Sequence, residues 1–205
     1  MTTPASISEI AKSVRTAPPR CGSTRVVAID GPAGAGKTTF ANSLAVELGG
    51  TPSAGAGAFD PAAPLATDVR ILHADDMYEG WAGLDALEDL LVGEILAPLA
   101  ADRDASFRMW DWERDARGAT VPVPAPEVLI IEGVGAASRA ARGFASLVIW
   151  VDAPADVRTS RGIARDGEEE RHHWEAWQPA EAEHHAREGT RAAADFVVDG
   201  TRPLR

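Results

Sequence analysis

Cysteine is almost missing from this 205-residue chain. Cys21 stands alone, which excludes an intramolecular disulfide and fits a reducing compartment; its place before the first apolar run marks it as unreactive. Lysine is nearly as scarce. The 20 basic residues include only two lysines, Lys12 and Lys37, so a lysine that is kept points to a need for a compact ammonium. No run of basic residues occurs and the net charge is −11, with a sequence pI near 4.9. Nucleic-acid binding and attachment to an anionic membrane are therefore not expected. No apolar run approaches the ~18 residues of a membrane span, and no apolar core of a secretory signal is visible near Lys12 and Arg15. The chain reads as cytoplasmic. No lysine follows Lys37, so the Asn-Lys-x-Asp motif that usually reads guanine is absent and a GTPase of that type is disfavoured.

What is present is concentrated in residues 25–40. The apolar run Val26 to Ile29 leads into Gly31, Pro32, Ala33, Gly34, Ala35, Gly36, Lys37, Thr38 and Thr39, which satisfy the phosphate-loop pattern. Wrapping a polyphosphate requires successive backbone N–H groups to point inward, and glycine is the residue that turns the chain so tightly. A helix starting near Lys37 adds its N-terminal amides and positive dipole end. Lys37 is expected on the β and γ phosphates and Thr38 on Mg²⁺, with ATP as the nucleotide.

The rest of the chain predicts one α/β domain over residues 25–205, preceded by an appendage, residues 1–24, with a short helix from Ser6 to Val14. Residues 49–68, rich in Gly, Ala and Pro, form a surface loop. Apolar strands are expected at 69–74, 128–131, 146–151 and 196–198, an aromatic strand at Phe107 to Trp112, and helices at Leu84 to Leu99 and at about 169–194. The stretch 121–126 is expected to break regular structure. Five apolar strands separated by helices make a three-layer fold on a five-stranded parallel sheet, whose ligands sit at the carboxyl ends of the strands. Gly31, Asp75, Glu132 and Asp152 fall there.

Asp75 is the candidate to take a proton from an acceptor hydroxyl or to organise Mg²⁺, with Asp76 as its rival and a helix cap as the plainer use of either. Glu132 is placed to hold Mg²⁺ through water or to touch substrate. The six tryptophans serve as core in most readings, Trp150 above all, while Trp110 and Trp112 share a strand face that is core or pocket. His172, His173, His184 and His185 read as parts of an exposed polar helix, because neighbouring helical residues face different ways.

The segments HADDMY, MWDWER, VLIIEG, VDAPADVRTSRGIARD and the tail from Trp177 to Gly200 follow the order seen in uridine kinases and related phosphate-loop kinases. The chain resembles that family over about residues 25–200. The resemblance implies a phosphate-loop kinase fold with an arginine-rich lid at about 154–170, in which Arg158, Arg161 and Arg165 neutralise the transferred phosphoryl group. It makes Asp75 the base, Tyr78 the neighbour of a pyrimidine, and Asp85 a ribose contact. Trp110, Asp111 and Trp112 then line the acceptor pocket, with Arg114 near the position of a base-reading His. Uridine or cytidine is the implied acceptor. Three departures, Trp110 for Tyr, Arg114 near the His position and Asp76-Met77 for Ser-Phe, all bear on that pocket. Another metabolite or a nucleoside monophosphate remains an alternative acceptor, as does a nucleotide-dependent switch with none. A homo-oligomer is left open.

Overall fold

The computed structural model describes residues 5–63, 65 and 68–202. Its centre is a parallel sheet in the order β2-β5-β1-β6-β7. These strands are β1 (Arg25–Asp30), β2 (Val69–His73), β5 (Val128–Glu132), β6 (Ala145–Asp152) and β7 (Phe196–Asp199). β3 (Ala105–Asp111) and β4 (Ala116–Val123) form a separate antiparallel ribbon. The central strands are β-branched and leucine-rich, as befits strands buried on both faces.

Side-chain alternation gives each face its own core. Val27, Ile29, Ile130 and Ile149 face α2 (Lys37–Glu47), which brings Phe40 and Leu44. α1 (Ile7–Thr16) lies beside α2 and buries Ile10 and Val14 in the same cluster; its start is fixed by a capping box between Ser6 and Glu9. Val26, Leu129 and Ile131 face the other way, toward Leu87, Leu91, Ile95 and Leu99 and the ribbon residues Phe107 and Val121. The register pairs Ile29 with Glu132 and His73 with Glu132, so the acidic and basic strand ends arrive at one edge.

Three expected elements differ. The helix predicted from Leu84 to Leu99 starts three residues later as α3 (Leu87–Leu90), widens into a π-helical turn over Leu91–Leu96, and resumes as α4 (Ala97–Ala100). Pro98 has no N–H to continue the ladder where that spacing changes. Residues 121–123, expected as a break, complete β4; a proline in a two-stranded ribbon can turn its nitrogen to the open edge and cost no ladder bond. The long C-terminal helix divides into α6 (Arg171–Glu188) and α7 (Thr190–Ala193) at Gly189, whose φ of 65° ends the first. α6 is also not the exposed helix its polar composition suggests. Trp174, Trp177, Glu181 and His184 are buried, because α6 packs over the carboxyl edge of the sheet and across α5 (Ala155–Asp166).

Candidate active site

The turn from β1 into α2 has the shape the glycines were expected to give. Gly31, Gly34 and Gly36 have φ of 142°, 76° and 99°. A Cβ on Gly31 would also run into the Val151 carbonyl, and one on Gly34 into the Arg158 carbonyl. α2 begins at Gly36 with no side-chain cap. The amides of Gly34, Gly36, Lys37, Thr38 and Thr39 meet no acceptor among the described residues, so a helix N-terminus and a nest of N–H groups face the same space. Lys37, nearly buried, curls back so that Nζ donates to the carbonyls of Gly31 (2.9 Å) and Pro32 (3.1 Å). That donor set suits a polyphosphate.

Beside the loop lies a chain of polar contacts. Thr38 Oγ1 donates to Glu132 Oε1 (3.0 Å), the same oxygen lies 2.6 Å from His73 Nδ1, and His73 Nε2 lies 2.7 Å from Ser53 Oγ. His73 is pulled down by burial, but its contact with Glu132 and the charges of Asp76 and Asp75 outweigh this and raise its pKa. Asp75 follows on a 3-10 turn, Ala74–Asp76. Burial, then the Glu132 charge, raise its pKa against the attraction of Lys37, Arg165 and His73. Asp76 turns aside to accept the Gly57 N–H (2.6 Å) from the Gly/Ala/Pro loop, and burial pushes its carboxyl up to about 6. Among the described residues no group of three or more His, Cys, Asp or Glu gathers to hold a metal. Magnesium does not need one: a hydroxyl, one carboxylate, phosphate oxygens and water suffice, and Thr38 with Glu132 or Asp75 fits that description.

Loop and acids open into a cleft of about 1730 Å³. Its far half is aromatic. The Trp81 ring meets Trp112, Trp174 and Trp177 edge-on at centroid separations of 5.8, 6.4 and 5.9 Å, and stacks on His173 at 5.2 Å. Trp112 Nε1 donates to the Asp75 carbonyl (2.8 Å), which fastens the aromatic wall to the acidic turn. Trp110 lines the cleft under the Arg117 guanidinium.

Residues 26–180 match the model of the phosphoribulokinase / uridine kinase family. The chain belongs to that family. It is accordingly a kinase, a phosphotransferase. No curated protein sequence matches the chain. Among solved structures it is similar to a possible uridine kinase from Bacillus stearothermophilus, with 24% identity and a TM-score of 0.61 over 94% of this chain and 97% of that one. It is also similar to a chain described as a fructose transport system kinase from Silicibacter sp. TM1040, with 20% identity and a TM-score of 0.54 over 95% and 98%. These two likenesses are likenesses of fold.

The remaining residues singled out for a uridine-kinase-like site divide by position. Arg161 and Arg165 line the cleft. Arg161 donates to the Gly34 carbonyl (3.4 Å) and the Gly200 carbonyl (3.1 Å); Arg165 is paired with Asp166 (2.6 Å). Arg158 is not free beside them. It is largely buried, with Nη1 on Glu181 (2.8 Å) and on the Ala33 carbonyl (3.2 Å), because its place early in α5 aims it under the loop. Asp85 does not reach the cleft: its side chain is 82% exposed and paired with Arg187 (2.9 Å) on the outer surface. Tyr78 does line it, but its ring is buried against Trp177 and its hydroxyl donates to the Val134 carbonyl. Asp111 accepts the amides of Glu113 and Arg114 and shapes the ribbon turn, while the Arg114 side chain is 82% exposed at the rim.

Sequence reasoning passed over Trp81, His173, Trp174 and Trp177 as members of the site. The one signal available was spacing: Trp174 and Trp177 are three apart, so on a helix they share a face, as does a face-forming Glu181.

Proposed function

We propose that this kinase transfers the γ-phosphate of ATP, with Mg²⁺, to a hydroxyl of a small molecule, and that the acceptor is a pyrimidine nucleoside such as uridine or cytidine. The observation that carries the reading is the position of Asp75, between the amide nest of the phosphate loop and the tryptophan-walled half of one cleft.

In this reading the loop amides and Lys37 hold the phosphates, and Thr38 and Glu132 hold the metal. Bound Mg²⁺ supplies charge neutralisation across the phosphate oxygens. Asp75 accepts the hydroxyl proton at its carboxylate as the acceptor oxygen bonds to the γ-phosphorus and the bond from that phosphorus to the β–γ bridging oxygen breaks, ADP leaving with the electron pair. Its raised pKa moves it toward the working pH, the direction a general base profits from. Arg161 and Arg165 face the developing charge, and the aromatic wall excludes water. The Trp81, Trp112 and Trp177 rings suit a flat acceptor group, and Trp110 and Asp111 border it.

A second reading, a kinase for a sugar or another hydroxylated metabolite, is favoured by Asp85, whose outward pairing leaves a ribose without the contact that family resemblance would assign it. The test is Mg-ATP consumption across a panel of nucleosides, nucleoside monophosphates and sugars, with Asp75→Asn as control. Uridine- or cytidine-dependent ADP release that disappears in Asp75→Asn supports the proposal. Dependence on a sugar alone moves the acceptor, and release indifferent to every acceptor turns the reading toward a nucleotide switch.

A further inference from the structure

We infer that Glu181 is a positioning residue for the phosphate loop, acting from helix α6 through the peptide of Ala33. The inference rests on the reading of the loop as a nucleotide site.

Glu181 is 2% exposed, and a carboxylate so buried is costly unless its charge and lone pairs are met. Three donors from three segments meet it: the Ala33 N–H (2.8 Å), Arg158 Nη1 on α5 (2.8 Å) and Trp177 Nε1 one turn back on α6 (3.1 Å). Arg158 also donates to the Ala33 carbonyl (3.2 Å) and, from Nε, to the Ala153 carbonyl (3.2 Å). Ala33 is thus held by both its N–H and its C=O, one residue before Gly34 turns into the amide nest. The pair brings no net charge to a site meant for phosphate, since Arg158 balances the carboxylate.

The same face of α6 grips the loop a second time. Trp177, Glu181 and His185 are spaced four apart and form one stripe. His185 Nε2 lies 3.1 Å from Asp30 Oδ1, and that buried carboxylate accepts the amides of Gly31, Gly135 and Ala137. At the other end Trp177 packs edge-on against Tyr78 and Trp81. One helix therefore fixes the loop at Asp30 and at Ala33 and leaves the amides of Gly34 and of Gly36 to Thr39 to the ligand, the Ala35 amide being taken by the Pro32 carbonyl (3.2 Å). Glu181 lies one residue past the segment that the family model matches. A preorganised nest binds phosphate without first losing the entropy of a mobile loop.

The experiment is calorimetric titration of the whole protein with Mg-ADP and with a non-hydrolysable Mg-ATP analogue. Glu181→Gln keeps the shape but sets an NH₂ among donors, and is expected to weaken nucleotide binding about tenfold. Trp177→Phe removes one donor and keeps a ring; about two- to threefold is expected. Leu99→Ala, a core cavity beside Gly22 at the amino end of the sheet, away from the loop, lowers Tm but is expected to keep wild-type affinity, whereas a merely structural role for Glu181 would make the two variants behave alike. Wild-type affinity in Glu181→Gln, or an equal loss in Leu99→Ala, overturns the inference. If Glu181→Gln does not fold, Glu181→Asp, with the charge kept and the reach shortened, carries the same comparison. A wild-type protein that binds no Mg-nucleotide overturns the nucleotide site itself and this inference with it.

Discussion

The half of the cleft proposed to hold phosphate is made largely of backbone from one unbroken segment, whereas the half proposed to hold the acceptor is made of side chains from three. Residues 31–39 carry the amide nest, Lys37 and Thr38, and their geometry follows from glycine φ angles a few residues apart. The opposite wall needs Trp81 from a 3-10 turn, Trp112 from the end of the ribbon, and His173, Trp174 and Trp177 from α6. On the proposed reading the first half holds the nucleotide phosphates, and its shape is fixed locally. The second is assembled from distant segments, and two of its rings, Trp174 and Trp177, are also buried packing residues of the fold.

Asp75 stands at the junction, and its replacement gives the largest effect. Asp75→Asn is expected to lower kcat about 10³-fold while nucleotide affinity stays within about twofold, measured by ADP release and by titration. A parallel loss of nucleotide affinity would place Asp75 in the phosphate half and break the division.

The arginines sharpen it next. Arg158→Ala leaves Glu181 buried without its partner and is expected to cost about 3 kcal/mol of stability in urea unfolding. Arg165→Ala breaks an exposed pair with Asp166, so its stability change is expected within about 0.5 kcal/mol, while kcat falls at least about tenfold. The reverse pattern would exchange the roles of brace and charge donor.

On the acceptor side Trp112→Ala is expected to raise the KM for the acceptor about tenfold and leave the KM for ATP unchanged, read from initial rates with each substrate varied. A rise in the ATP KM would show that the two halves share the Trp112 wall.

The same contrast explains what the sequence could and could not tell. The five-stranded parallel sheet was legible because Val26 to Ile29 and Val128 to Ile131 are unbroken apolar runs, which only doubly buried strands tolerate at that length. The loop was legible because its glycines answer a local steric demand. The fates of Arg158 and Asp85 were not, since both depend on which helix lies opposite: Glu181 on α6 takes the first, Arg187 the second. The polar composition of α6 hid its buried face, because Glu181 and His185 are polar residues whose partners include a backbone amide and side chains far away in the chain, while His184 is buried beside Arg187 of the same helix. Periodicity reads apolar faces and is blind to a buried polar one.

The smallest effect concerns the strand end where the Gly/Ala/Pro loop is tied down. Asp76 holds the Gly57 N–H, yet burial raises its pKa from 3.8 to about 6. The folded state then binds more protons than the unfolded one between those values, so stability falls as pH rises through them, and the penalty is complete above about pH 6. Asp76→Asn keeps an oxygen for Gly57 and removes the buried charge. It is expected to stabilise the protein by about 1–2 kcal/mol at pH 7.5 and by nothing measurable at pH values below 3.8, in urea unfolding at the two pH values. Equal effects at both would mean that the carboxylate is not penalised by burial. A loss at pH 7.5 would mean that its charge serves the acid cluster around Glu132, joining the loop to the phosphate half rather than merely fastening it there.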